Sequence, residues 1–153
     1  MTNLDRSVDF YRRSLGFEVI LQSTGPVNRY ALMGSNGAVL LTLWEQSAEP
    51  FSVSRAGLHH LSFEAPTLET LRETEKRLRS AGVAIRDDDT GREDAASTGQ
   101  LFFADPDGIR LEIYTDDPAV PPGPTLSLPR CGYFGTANEE TGDPSGSRTT
   151  QGP

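Results

Sequence analysis

Two side chains of types that bind metals lie on separate predicted strands, one near the middle of the chain and one further along. His60 belongs to the run GLHHLSFEA over residues 57–65, and Glu112 belongs to the run GIRLEIY over residues 108–114. Imidazole and carboxylate groups that converge in a cleft are typical ligands of divalent first-row metals. The same two groups also form ordinary hydrogen bonds or ion pairs between strands, so residue type and spacing leave both interpretations open.

The alternation of side chains along a strand predicts that His60 and Glu112 face the same cleft. In the strand predicted over 58–65, His60 lies on the polar face, and His59 lies on the opposite face, where it should border the packing of a helix. The apolar faces of this strand and of the strand over 109–114 should pack on amphipathic helices, which leaves the polar faces to line the cleft. Three further polar side chains are therefore candidates for substrate contact or proton transfer: Ser62, Arg110 and Tyr114.

The elements that must position these residues form two copies of one unit. Apolar residues at helical spacing and short alternating runs predict helices and strands in the same order in both halves. The second half also has a strand in front of its helix. The predicted elements are a helix over 4–15 and strands over 17–23, 28–33 and 38–44, then a strand over 58–65, a helix over 67–81 and strands over 83–86, 100–104 and 109–114.

The two halves align at the turns before their last strands. The run MGSNGAVLLTLW over 33–44 is aligned with FADPDGIRLEIY over 103–114 by placing Gly37 on Gly108, which shifts the ends of the two runs by one residue. The second unit reads β-α-β-β-β, whereas the first lacks the opening strand. This repeat predicts an α+β fold in which paired modules form one open, barrel-like cleft with the helices outside.

Composition limits the class of protein and its partners. The chain has 153 residues and a formal net charge of −8. This acidic balance argues against nucleic acid or an anionic membrane as a partner, since both need clustered Lys and Arg. Its longest apolar run, over 38–44, is far shorter than the roughly 20 residues that span a bilayer. One cysteine, Cys131, cannot form an internal disulfide, and no signal-peptide pattern precedes the first helix. We therefore expect a cytoplasmic protein that binds neither nucleic acid nor a membrane.

Proline accumulates after Tyr114. Residues 115–153 hold seven of the 11 prolines and few aliphatic side chains. A segment of this composition cannot bury enough apolar surface to offset the entropy of ordering it. We therefore predict one domain over 1–114, with modules over 1–50 and 56–114, followed by a largely disordered tail.

Three stretches of the chain resemble the vicinal oxygen chelate superfamily, which contains glyoxalases, fosfomycin-resistance proteins, bleomycin-binding proteins and extradiol dioxygenases. They are NLDRSVDFYRRSLGFEV over 3–19, GLHHLSFEA over 57–65 and FFADPDGIRLEIY over 102–114, in the family's order. The resemblance implies paired βαβββ modules around a divalent cation (Fe, Mn, Zn or Ni), which the substrate chelates through two neighbouring oxygens. It also implies that His60 and Glu112 are metal ligands and that the protein is a homodimer.

The chain departs from the family's pattern at two positions. The family's first ligand lies on the opening strand, which would precede Met1. A four-ligand glyoxalase site also needs a carboxylate in the first module, where the repeat places Leu41. Because a catalytic cation usually has three protein ligands, we expect one of three explanations. The start codon is misassigned, a partner chain supplies the strand, or the site holds no metal.

Two functions from different classes follow from the resemblance. The first is a metal-dependent enzyme of lyase, isomerase or dioxygenase type, in which the cation acts as a Lewis acid. The second is a metal-free protein that binds or sequesters a small ligand, as the bleomycin-binding members do, and the acidic charge would favour a cationic ligand. A degenerate module within a larger assembly is a third interpretation.

Overall fold

The computed structural model describes residues 1–86 and 95–121. Each half of the chain contributes one helix and three strands, and the predicted α+β class is confirmed. The first half contains α1 (Leu4–Leu15), β1 (Glu18–Thr24), β2 (Arg29–Ser35) and β3 (Ala38–Trp44), and the second contains β4 (Leu61–Glu64), α2 (Leu68–Ser80), a 3₁₀ helix (Ala95–Thr98), β5 (Gln100–Ala104) and β6 (Arg110–Tyr114).

Each α-helix begins at a polar residue that caps its first turn. The Asn3 side chain accepts a hydrogen bond from the Arg6 N–H, and the Thr67 side chain accepts one from the Thr70 N–H. These bonds satisfy backbone donors that have no partner within the helix. The helices then bury one stripe each against a single core cluster. Its fully buried members include Leu4, Tyr11, Met33, Leu71, Leu78, Leu101, Phe103 and Leu111.

The strands form two three-stranded sheets, one from each half. The first has the order β1-β2-β3 and is antiparallel throughout. The second has the order β4-β6-β5, in which β4 is parallel to β6 and β5 is antiparallel to it. The parallel pair arises because α2 carries the chain back to the start of the sheet after β4.

The strand predicted over 83–86 is wrong. Only Arg86 pairs there, through an isolated bridge to Phe102, in which its N–H donates to the carbonyl of Phe102 at 2.7 Å. Val83 and Ile85 pack partly on the core. One bridge does not build a ladder, so this segment lies beside the sheet without extending it as a strand.

One face of the first sheet exposes apolar side chains. Leu21 is 52% exposed, Val39 48% and Trp44 40%. The Trp44 ring stacks on that of Tyr30, with the ring centroids 4.8 Å apart. Exposed apolar groups on one sheet face are a common mark of an interaction surface. In the described part of the chain, no helix is both long and apolar enough to cross a membrane.

A polar network, here called the turn network, joins α1 to the turn before β6. Asp107, which is 3% exposed, accepts hydrogen bonds from the backbone and hydroxyl of Thr2 and from Arg6 Nη2. Asp105 accepts one from the buried Tyr11 hydroxyl at 3.2 Å. Burial raises the pKa of Asp105. Burial also acts to raise the pKa of Asp107, but the hydrogen bonds from Thr2 and the charge of Arg6 outweigh it, so this pKa lies below the usual aspartate value.

Residues that follow the predicted domain boundary contact the domain. The Asp117 carboxylate accepts a hydrogen bond from the Leu68 N–H at 2.9 Å, at the start of α2. Val120 packs partly on the core. The rest of the predicted tail, including Cys131, lies outside the described residues.

Candidate functional site

His60 and Glu112 come together at the second sheet. The parallel register of β4 and β6 places Ser62 directly beside Glu112, and His60 lies just before β4. His60 Nε2 is 3.1 Å from Glu112 Oε2. The Ser62 hydroxyl donates a hydrogen bond to the same oxygen at 2.7 Å. The pairing of two strands thus brings together side chains that are 52 residues apart in the chain.

The carboxylate of Glu112 is almost fully buried. Its side chain is 5% exposed and that of His60 is 15% exposed. Its neighbours Leu111 and Ile113 point to the other face of the sheet and are buried in the core. A carboxylate removed from water needs polar partners or a cation, because burial disfavours its charge. Ser62 and His60 provide polar partners for Oε2.

The geometry of the pair fits two ligands of one divalent cation. His nitrogen and carboxylate oxygen bind such ions at about 2.0–2.2 Å. The observed separation of 3.1 Å is that of a hydrogen bond, and it is also short enough for both atoms to reach one cation. Within residues 1–86 and 95–121, however, no group of three or more His, Cys, Asp or Glu side chains is placed to hold a metal.

The remaining predicted site residues flank the pair. Arg110 and Tyr114 lie two residues before and after Glu112 in β6, so all three share one face of the sheet. Tyr114 pairs with Glu64 on one side, and both Arg110 and Tyr114 are half-buried. They lie about 7 Å along the strand from Glu112. This is far enough to contact different parts of a small ligand bound over the carboxylate.

The sequence prediction missed two neighbours of the pair. Phe102, which is 7% exposed, lies directly opposite Glu112 in β5 and forms an apolar wall beside it. The alternation of side chains along the strand predicted over 100–104 was sufficient to place Phe102 on the face of the sheet that Glu112 occupies. The second is His59, whose Nδ1 lies 2.7 Å from Nδ1 of His60. The prediction that His59 borders the helix packing is therefore wrong, because the strand begins at Leu61 and both histidines precede it.

The equivalence of Leu41 with Glu112 in the repeat is also wrong. A bulge lies in β3 opposite the step from Met33 to Gly34, and beyond it Leu41 pairs with Met33 on the buried face. Thr42 occupies the opposite face, which corresponds to that of Glu112. A bulge adds one residue to a strand and so reverses the facing of the residues beyond it. Neither Leu41 nor Thr42 carries a carboxylate, so β3 has no counterpart of Glu112.

Comparisons with known proteins agree with this architecture. A family model described as the Glyoxalase/Bleomycin resistance protein/Dioxygenase superfamily matches residues 1–113. The chain is 30% identical over 119 residues to a catechol-2,3-dioxygenase of Bacillus subtilis (strain 168). That alignment covers 76% of this chain but only 39% of the relative, so the chain spans about two fifths of the relative's length.

Two solved structures illustrate the shared fold. A glyoxylase/bleomycin resistance protein/dioxygenase domain from Frankia sp. EAN1pec is 27% identical with a TM-score of 0.61, over 75% of this chain and 90% of that one. The fosfomycin resistance protein FosX of Listeria monocytogenes, complexed with Mn(II) and 1S,2S-dihydroxypropylphosphonic acid, is 17% identical with a TM-score of 0.56. The match covers 75% of this chain and 85% of that one, and it supports the fold alone.

Proposed function

The chain belongs to the Glyoxalase/Bleomycin resistance protein/Dioxygenase superfamily, and on that premise we propose that it is a divalent-metal-dependent enzyme. Its substrate is a small molecule that chelates the ion through two neighbouring oxygen atoms. The reaction is of lyase, isomerase or dioxygenase type. The family resemblance predicted from the sequence is confirmed, whereas the activity is our proposal.

The observation that supports this proposal is the 3.1 Å separation between His60 Nε2 and Glu112 Oε2. These atoms would hold the cation, which we expect to be Fe, Mn, Zn or Ni. When bound, such an ion supplies Lewis acidity to the chelated oxygens. The described residues supply two protein ligands instead of the usual three, so we expect weak binding of the ion alone and tighter binding when a chelating substrate completes the coordination.

The surrounding side chains have separate roles in this proposal. Ser62 orients the Glu112 carboxylate through its hydrogen bond of 2.7 Å. Arg110 supplies positive charge for an anionic group of the substrate, and the Tyr114 hydroxyl donates or accepts a proton. Phe102 limits access of water to one side of the carboxylate, since it lies opposite Glu112 in the sheet.

Titration of the full chain with Mn(II), followed by calorimetry, tests the metal site. We expect one saturable ion per chain in the wild type. Removing a ligand in His60→Ala or Glu112→Gln should lower the affinity by more than the roughly 10–100-fold that the loss of an outer partner of a ligand typically costs. Glu49→Gln, which neutralises an exposed loop carboxylate, is the matched control and should bind as the wild type does.

Catechol serves as the probe for substrate binding because it presents two neighbouring oxygens. We expect its absorption spectrum to shift on binding in the presence of Mn(II), and we expect no shift with EDTA or with His60→Ala. Equal Mn(II) affinity in the wild type, His60→Ala and Glu112→Gln would contradict the proposal.

A second candidate is metal-free binding of a cationic small ligand. The net charge of −8 favours it, and in the part of the chain that the structure describes no group of three or more His, Cys, Asp or Glu side chains is placed to hold a metal. Bleomycin is a suitable cationic probe. Binding that persists with EDTA and in His60→Ala would favour this function over the enzyme.

A further inference from the structure

The imidazole of His59 contacts the imidazole of His60 beside the proposed metal site. Their Nδ1 atoms lie 2.7 Å apart, and the ring planes meet at 78°. The two rings meet because both residues precede β4, where the alternation of a regular strand does not apply. The other ring nitrogen of His60, Nε2, is directed towards Glu112 Oε2 at 3.1 Å.

This contact couples the proton positions on the two rings. A neutral imidazole has one N–H and one bare nitrogen, so one Nδ1 of the pair donates and the other accepts. If His60 Nδ1 donates to His59, His60 Nε2 is bare and presents its lone pair towards Glu112. If His60 Nδ1 accepts, Nε2 carries the proton and donates it to the carboxylate. The direction of the contact between the histidines therefore decides what His60 presents to the site.

We propose that His59 is a positioning residue, which accepts a hydrogen bond from His60 Nδ1–H when a cation replaces the proton between His60 Nε2 and Glu112 Oε2, and so holds the bare Nε2 towards the ion. The inference rests on the proposed function, because ligation of a cation requires the bare nitrogen. Partners of this kind fix the tautomer and orientation of a metal-binding histidine, and their removal typically costs about 10–100-fold in metal affinity.

Two substitutions of His59 test the proposal. His59→Phe keeps a ring but removes Nδ1, whereas His59→Asn places an amide oxygen near the position of Nδ1 and so keeps an acceptor. We expect Mn(II) affinity, measured by calorimetry on the full chain, to fall about 10–100-fold in His59→Phe. In His59→Asn it should stay within roughly threefold of the wild type, as expected when the outer hydrogen bond is kept. His59 is exposed, so both variants should fold, and thermal unfolding checks this.

A second readout needs no cation. The chain contains two histidines, so long-range ¹H–¹⁵N NMR spectra of the imidazoles report these two rings alone. We expect the nitrogen shifts of His60 to change in His59→Phe and to return towards the wild-type values in His59→Asn. Unchanged His60 shifts in His59→Phe would overturn the positioning role.

The inference and the proposed function fail in different ways. If the wild type and His60→Ala bind Mn(II) equally, the metal site is wrong, and the NMR comparison alone decides whether His59 orients His60. If His60→Ala abolishes binding but His59→Phe does not weaken it, the metal site stands and the role of His59 is wrong.

Discussion

At the scale of single residues, the site depends on a carboxylate that the fold buries and then supplies with a few polar partners. Glu112 is 4% exposed, and its Oε2 is within 3.1 Å of both an imidazole nitrogen and a hydroxyl. Residue types and alternation were sufficient to predict that Ser62 and Glu112 share a face, whereas His60 reaches Glu112 from a position just before β4, where alternation does not apply. The contact with His59 was not predictable, because it depends on where β4 begins, and strand ends follow from tertiary pairing more than from local sequence.

Tyr11 provides a residue-scale test of the turn network. Its hydroxyl is buried and donates to Asp105 Oδ2 at 3.2 Å. Tyr11→Phe leaves a buried carboxylate with one donor fewer, so we expect the free energy of unfolding to fall by about 1–3 kcal/mol. Urea denaturation measures the change. Tyr30→Phe keeps the ring stacked on Trp44 and should alter stability by less than about 0.5 kcal/mol. Equal stability of the two variants would contradict the role given to the Tyr11 hydroxyl.

At the scale of elements, the helices were predictable to within a residue because their apolar stripes, caps and terminal glycines agree. The helix predicted over 4–15 is observed as Leu4–Leu15. The strand predicted over 58–65 is observed only as Leu61–Glu64, and the strand over 83–86 as one bridge. Short strands at the start or side of a sheet depend on partners distant in sequence, which local periodicity does not show. The bulge in β3 was not predictable for the same reason, since it depends on how β3 pairs with β2.

Gly34 tests the packing at that bulge. A Cβ added there would lie 1.8 Å from the carbonyl oxygen of Ala38 and 3.0 Å from the Leu40 nitrogen. Gly34→Ala must therefore displace backbone, and we expect a loss of at least about 1–3 kcal/mol, as for other overpacked sites. Gly57→Ala is the matched control, because a Cβ there meets nothing within 4 Å. Urea denaturation of both variants is the measurement, and a Gly34→Ala protein as stable as Gly57→Ala would show that the register at the bulge is wrong.

Asp107 connects α1 to the turn before β6, and it makes this connection sensitive to acid. Its pKa is lower in the folded protein than the ordinary value of 3.8. A depressed pKa means that the ionised group stabilises the fold above the ordinary pKa, and that this contribution is lost as the pH falls through the lowered pKa. We expect Asp107→Asn to be less stable than the wild type by about 1–3 kcal/mol at neutral pH, and this difference should shrink below about pH 4.

Thermal unfolding across this pH range measures the effect. Burial raises the pKa of Asp105, so protonation of Asp105 on acidification acts in the opposite direction. A difference between the wild type and Asp107→Asn that stays constant down to pH 2 would contradict the ionic contribution of Asp107. Asp9→Asn is the control, because its ion pair with Arg13 is exposed and should contribute little.

At the scale of the whole molecule, we expect two copies of the chain to associate through the exposed face of the first sheet. Leu21 and Val39 expose about half of their surface there, which favours burial against an apolar partner. Light scattering at micromolar concentration should give a dimer for the wild type and a monomer for the double variant Leu21→Glu, Val39→Glu. Val27→Glu is the control, because Val27 is 86% exposed in the turn between β1 and β2. A monomeric wild type would contradict the prediction.

The parallel pairing of β4 with β6 also has a consequence for the order of folding. His60 and Glu112 are separated by 52 residues. A contact that closes so long a loop is slow to form, because the chain loses conformational entropy before the contact contributes any stabilising energy. The two proposed ligands are therefore expected to meet late, after the local hairpins and helices. An ion bound between them would then slow unfolding and so lengthen the lifetime of the native state, while the rate of refolding would stay nearly constant.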